Sequence, residues 1–283
     1  MTDFLRAELT RIRSNLLTFI LLVITAVCVL YIGYEHMAMK QAVSYLSTML
    51  ISALIIDYLA LKGIPGPDFP VRRPGMETVI FIGCVMLGLV FFYFRFLSPV
   101  PWDQQNPWVK LAVLPTIAFV FPIGHAFVFL FLKYKPKDLG FRFHGFLPVI
   151  PIIALCALVN HMVSPESLTW DAIMAEEGSI AGIILSGLVA AGLSEEFFRV
   201  LGQTRLGAFF KNAGLGWFLT TVFWAFLHAP KWYSESHDLQ DAVFSSIRII
   251  PIGLMWGYLT HRTRSILPAT MVHGVNFWGL QNF

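Results

Sequence analysis

The fold turns on the stretch AGLSEEFFRVLGQTRL, residues 191–206. It closes an apolar run, because residues 178–193 contain no ionisable side chain. Glu195, Glu196 and Arg199 therefore sit at, or inside, one end of a helix that reads as membrane-spanning. A charged side chain at the bilayer centre costs about 2.5–3.5 kcal/mol, so such residues mark sites that face a cavity or a partner. On a helix Glu195 lies four residues before Arg199 and Glu196 three before it, so either carboxylate reaches the guanidinium. One acid is then neutralised and one is left over. The structural alternative is a helix-end charge cluster snorkelling into headgroups.

Working outward, 57% of the 283 residues are hydrophobic and only 13% are charged, and the mean hydropathy is +0.69. That is too apolar for a soluble domain whose surface must carry charge. The expected class is all-α: a polytopic membrane protein, a helical bundle of eight to nine transmembrane helices with an internal polar cavity. Apolar segments place spans near 14–34, 42–61, 77–97, 109–133, 145–163, 179–203, 214–230, 242–260 and 265–281. The first follows basic residues and is longer than a signal-peptide core, with no small-residue cleavage site, so it reads as a retained span. The net charge of +3 does not by itself suggest nucleic acid, and no such partner is expected. Cys28, Cys84 and Cys156 lie in separate apolar runs and read as small apolar residues.

Lysine and arginine recur in alternate loops: Arg6, Arg11 and Arg13; Lys62, Arg72 and Arg73; Lys133, Lys135, Lys137 and Arg142; Arg205 and Lys211; Arg262 and Arg264. The intervening loops are poorer in base or acidic, so the N-terminus is expected to be cytoplasmic, in an integral membrane protein of a prokaryotic cytoplasmic membrane. The loop GIPGPDFPVRRPG, residues 63–75, cannot continue a helix. Trp102, Trp108, Trp170 and Trp232 read as an interfacial aromatic belt.

Polar residues inside the spans divide into two groups. Asp57 reads as part of an ion path or as an ion pair with Lys62, and His125 as a histidine hydrogen-bonded between helices. Arg248 reads as snorkelling or as pairing with an acid of the site. His228, His273 and Asn276 each also read as packed core residues, but with the glutamates they supply a set suited to hydrolysis. A carboxylate in an apolar site suits a general base, an imidazole can position water, and a histidine with an asparagine amide can donate to an oxyanion.

These residues resemble the CAAX protease and bacteriocin-processing family, membrane-embedded proteases related to the Ras-converting enzyme. The marks are a glutamate pair with an arginine (Glu195, Glu196, Arg199), an aromatic-x-x-x-His motif (Trp224, His228) and a final histidine–asparagine pair (His273, Asn276). Weaker similarity runs from PKDLGFRFHG at 136–145 to residues 253–276. The expected domains are therefore 1–135, N-terminal transmembrane helices without a motif, and 136–283, a CAAX-protease-like catalytic core.

Two spacings depart from the family pattern. Two residues separate Glu196 from Arg199 where the family has three, and Asn276 follows His273 by three where the family has four, with Phe277 at the fourth. If Arg199 is the fixed point, Glu195 takes the second glutamate's place and Ser194 the first. If the glutamates are fixed, the arginine has moved by about 100° around the helix. The second register is favoured, and the base is then whichever glutamate is not committed to Arg199.

The resemblance implies a glutamate-activated water that attacks a peptide bond near the C-terminus of a protein or peptide substrate in the membrane. Zinc held by Glu, His and His is the rival chemistry. No H-E-x-x-H pair is present and the ligands are scattered over three helices, so no metal and no other cofactor is expected. Charge counting sets Glu195 and His228 near opposite faces, so their meeting requires span six to shift to about 185–207 or span seven to tilt or be short. Competing functions are a non-catalytic membrane scaffold or immunity protein on the same fold, and an ion-coupled carrier.

Overall fold

Long apolar segments with few charges can satisfy their backbone in lipid only as helices, and every regular element among the described residues is helical. The structure, a computed structural model, describes residues 15–60, 68–93, 97, 100, 129–163 and 180–276. The helices are α1 (Leu16–Glu35), α2 (Met39–Ala60), α3 (Pro74–Phe92), α4 (Val149–Val163), α5 (Ile180–Ile183), α6 (Ser194–Phe209), α7 (Ala213–Phe226), α8 (Ala229–Ser236), α9 (Leu239–Thr263) and α10 (Leu267–Val275). A π-helical segment, Ile184–Leu193, joins α5 to α6.

Three of the described helices are long and apolar enough to cross a membrane: Leu16–Glu35, Met39–Leu59 and Leu239–Thr263. α1 turns Leu16, Leu17, Ile24 and Val27 outward, as a lipid-facing helix does. The other expected spans correspond to shorter helices, and residues 109–128 of the fourth lie outside the described residues, as do His125, Trp102, Trp108, Trp170 and Lys62.

The inner layer is built by α6, α7, α9 and α10, whose contact buries Phe197, Phe198, Leu201, Trp224, Trp256 and Leu259. Three polar links fasten the N-terminal helices to this layer. Glu77 of α3, 1% exposed, accepts from Arg205 Nε of α6 at 3.1 Å and from Tyr134 Oη at 2.7 Å. Arg205, expected in a loop by charge counting, is buried within α6 by this partner. Asp57 of α2 accepts from Arg262 Nε and from Tyr258 Oη of α9, each at 2.6 Å. Among the described residues Arg262 is an ion-pair partner of Asp57.

The third link is at Pro251, inside α9. Tyr45 Oη of α2 donates to the Arg248 carbonyl at 2.9 Å and accepts from the Ile252 amide at 3.0 Å. The hydroxyl is inserted between the two groups that an uninterrupted helix would pair directly, as happens where a helix is opened next to proline.

The basic loops gather at one end. Arg72 donates to the Leu132 carbonyl, Arg142 to the Arg264 carbonyl, and Arg264 pairs with Asp68 at 2.6 Å.

Candidate active site

Two antiparallel hairpins bring the candidate residues together. α6 and α7 are joined by the turn Phe210–Asn212, and Asn212 caps α7 by accepting from the Leu215 amide at 3.0 Å. Glu195 and His228 lie almost equally far from that turn, so an antiparallel return sets them side by side. The helices approach closely because Gly207 and Gly216 face each other: a Cβ on Gly216 would lie 2.2 Å from the Gly207 nitrogen. The same rule acts at Arg264–Ile266, where α9 turns into α10 and Trp256 stacks on His273 with centroids 3.7 Å apart.

Glu195 and His228 meet through the lengths of their two helices. The helical run of span six extends to Phe209, and α7 has only 14 residues before the chain turns at Leu227–His228 into α8. The His228 amide bonds the Ala225 carbonyl, so the Trp224 carbonyl is an orphan of the helix end. His228 Nδ1 donates to it at 2.9 Å. A carbonyl can only accept, so Nδ1 carries the proton and Nε2 is the nitrogen turned toward Glu195.

The two glutamates have separate environments. Glu196 is fully buried and accepts from Arg199 Nη2 and from His273 Nδ1, the latter at 3.0 Å. The Arg199 guanidinium lies between the faces of Trp224 (4.2 Å) and Trp256 (4.9 Å). Arg199 is thus committed to Glu196, which leaves Glu195 as the glutamate without that partner.

Glu195, 28% exposed, accepts from Trp224 Nε1 at 2.5 Å. Its Oε1 lies 3.8 Å from His228 Nε2 and its Oε2 lies 3.6 Å from His273 Nε2. These separations are too long for direct hydrogen bonds and suit an atom held between the groups. Among the described residues, no group of three or more histidine, cysteine or acidic side chains is arranged to hold a metal ion.

The register of α10 against the π segment completes the arrangement. A Cβ on Gly192 would meet the Thr270 carbonyl at 2.6 Å, and one on Gly274 would meet the Leu188 side chain at 2.5 Å, so only glycine permits this approach. A π segment beside a site re-aims the residues that follow it. Asn276 caps α10, is buried, and its Nδ2 finds no acceptor among the described residues. It lines a cavity between α2, α4, α8, α9 and α10.

Three contributors were not legible as site residues. Trp232, expected in an interfacial belt, instead stacks on His228 at 5.6 Å; the i, i+4, i+8 spacing of Trp224, His228 and Trp232 carried that signal. Trp256 and Tyr45 had no sequence signal of their own.

No curated protein and no solved structure matches this chain. Residues 177–278, which hold all six candidate side chains, match the Rce1-like family of type II CAAX prenyl endopeptidases, and over this segment the chain is similar to the family whose motifs its sequence carries.

Proposed function

We propose that the protein is an intramembrane endopeptidase that hydrolyses a peptide bond near the C-terminus of a protein or peptide substrate, with Glu195 as the base. The observation that carries this reading is the division of labour between the acids: Glu196 is held by Arg199, and Glu195 faces two imidazole nitrogens across open distances. The match to a prenyl endopeptidase family supports peptide hydrolysis.

In this mechanism a water held between Glu195 and His228 Nε2 donates one proton toward each and turns its lone pair to the substrate carbonyl. Glu195 takes the proton as the C–O bond forms. The tetrahedral oxyanion is met by the Asn276 amide, whose Nδ2 finds no acceptor among the described residues. Glu195 then returns its proton to the leaving amine as the C–N bond breaks, giving a carboxylic acid and an amine, which part as carboxylate and ammonium once the acid's proton passes to the amine. Glu196, itself held by Arg199, and Trp256 position His273, whose Nε2 faces Glu195.

Residues 136–283 form the catalytic core on this reading, with 1–135 as supporting transmembrane helices. The end where the basic loops gather faces the cytoplasm, as the positive-inside rule requires. The test is cleavage of a fluorogenic C-terminal peptide panel in defined lipid by wild type, Glu195→Gln, Glu196→Gln and His228→Ala, with and without chelator. Loss of cleavage in Glu195→Gln and His228→Ala, with chelator without effect, is the expected result. Cleavage retained in Glu195→Gln overturns the assignment and favours a scaffold on the same fold.

A further inference from the structure

Trp224, in the last turn of α7, is buried and serves two members of the site at once. Its backbone carbonyl accepts from His228 Nδ1 at 2.9 Å, and its indole Nε1 donates to Glu195 Oε2 at 2.5 Å. Both groups that would hold the hydrolytic water are therefore tied to this one residue. The carbonyl keeps the proton of His228 on Nδ1 and leaves Nε2 free to accept. The indole ring also carries the Arg199 guanidinium, 4.2 Å from its centroid.

The ring has little freedom to turn away. A Cβ on Gly253 of α9 would lie 2.7 Å from Trp224 Cζ3, so the indole occupies a seat that only glycine leaves open. Trp256 meets it edge to face at 5.9 Å, and the His228 ring does so at 5.0 Å. A ring fixed on these sides aims its N–H in one direction, and Oε2 of Glu195 lies there. The N–H can only donate and an ionised carboxylate can only accept, which makes this a charge-assisted bond, the stronger class. With Oε2 held, the carboxylate plane is set, and Oε1 is left facing His228 Nε2 across 3.8 Å.

Resting on the proposed peptidase reading, we infer that Trp224 is the positioning residue of the base: its N–H fixes Oε2 of Glu195, which makes Oε1 the oxygen that takes the proton from water. Glu195 needs such a hold because its side chain is 28% exposed and Arg199 is spent on Glu196. A ring without an N–H would still offer Arg199 a face, yet it would leave the carboxylate free to rotate. The aromatic place in the Trp224 and His228 motif thus carries a hydrogen-bonding task in this chain, beyond filling space.

The test uses the full chain in phosphatidylcholine nanodiscs, with two replacements of Trp224. Benzothienylalanine keeps the bicyclic shape and puts sulfur where the N–H was; fluorotryptophan keeps the N–H and weakens the ring face toward Arg199. Folding is checked by size-exclusion chromatography and thermal unfolding, and kcat and KM are read on the fluorogenic peptides. The bond itself is read without turnover, from the proton–nitrogen NMR signal of the Trp224 indole, assigned by its absence in Trp224→Phe. That signal is expected to move in Glu195→Gln. Benzothienylalanine lowers kcat by roughly ten- to hundredfold, the cost of a misplaced reacting group, and leaves KM unchanged. Fluorotryptophan retains the wild-type kcat, and benzothienylalanine adds no further loss to Glu195→Gln. An indole signal unmoved by Glu195→Gln, a wild-type kcat with benzothienylalanine, or a loss carried by KM overturns the inference. Wild-type cleavage by Glu195→Gln overturns the peptidase mechanism instead, so the two failures are separable.

Discussion

Replacing Arg199 by methionine isolates the energetics on which the site rests. Arg199 is 1% exposed and Glu196 is fully buried, so removing the guanidinium leaves a carboxylate without its counter-charge and keeps most of the side-chain volume. Removing one partner of a buried ion pair costs about 3–5 kcal/mol. The indole faces of Trp224 and Trp256 lose a cation as well, worth about 0.5–2 kcal/mol per contact. In the double variant Glu196→Gln, Arg199→Met the stranded charge is gone, and the double should be more stable than Arg199→Met alone. The assay is reversible unfolding in mixed micelles with rising SDS, followed by far-UV circular dichroism. An Arg199→Met variant within about 1 kcal/mol of wild type, the range of an exposed pair, would refute the reasoning. So would a double variant less stable than the single.

Other outcomes follow from the same contacts. Glu195→Gln should lower kcat for peptide cleavage by about 10²–10⁴-fold, the usual contribution of a general base, while the unfolding midpoint changes little because Glu195 is partly exposed. Gly216→Ala forces a methyl against the Gly207 backbone at 2.2 Å; it should destabilise by at least about 1–3 kcal/mol and, by separating α6 from α7, reduce kcat. Tyr45→Phe strands the Arg248 carbonyl and the Ile252 amide, costing about 1–3 kcal/mol in the SDS titration. Glu77→Gln, which weakens the hold on buried Arg205, should lower the unfolding midpoint in the same titration.

The all-α membrane class was legible because hydropathy acts residue by residue: α1 and α2 follow the expected segments within three residues at either end. The set Glu195, Glu196, Arg199, His228 and His273 was legible because charge and imidazole are costly in an apolar run and need a shared reason to be there. What stayed hidden depends on partners distant in the chain. Arg205 read as a loop residue because its acid, Glu77, is on another helix. The bond of Asp57 to Arg262 was hidden because Arg262 comes from α9, some two hundred residues along the chain. Which glutamate holds Arg199 was open because both spacings reach it; burial of Glu196 and the Trp224 bond to Glu195 separate them.

The three links from the N-terminal helices have a consequence for how the molecule could be divided. Glu77, Asp57 and Tyr45 each answer a polar group of α6 or α9. A fragment beginning at residue 136 would carry every catalytic motif, yet expose Arg205, Arg262 and an opened turn of α9 to lipid. The helices without motifs therefore act as a custom solvent for the motif-bearing ones, and a fragment lacking them should need them supplied as a separate piece to stay folded.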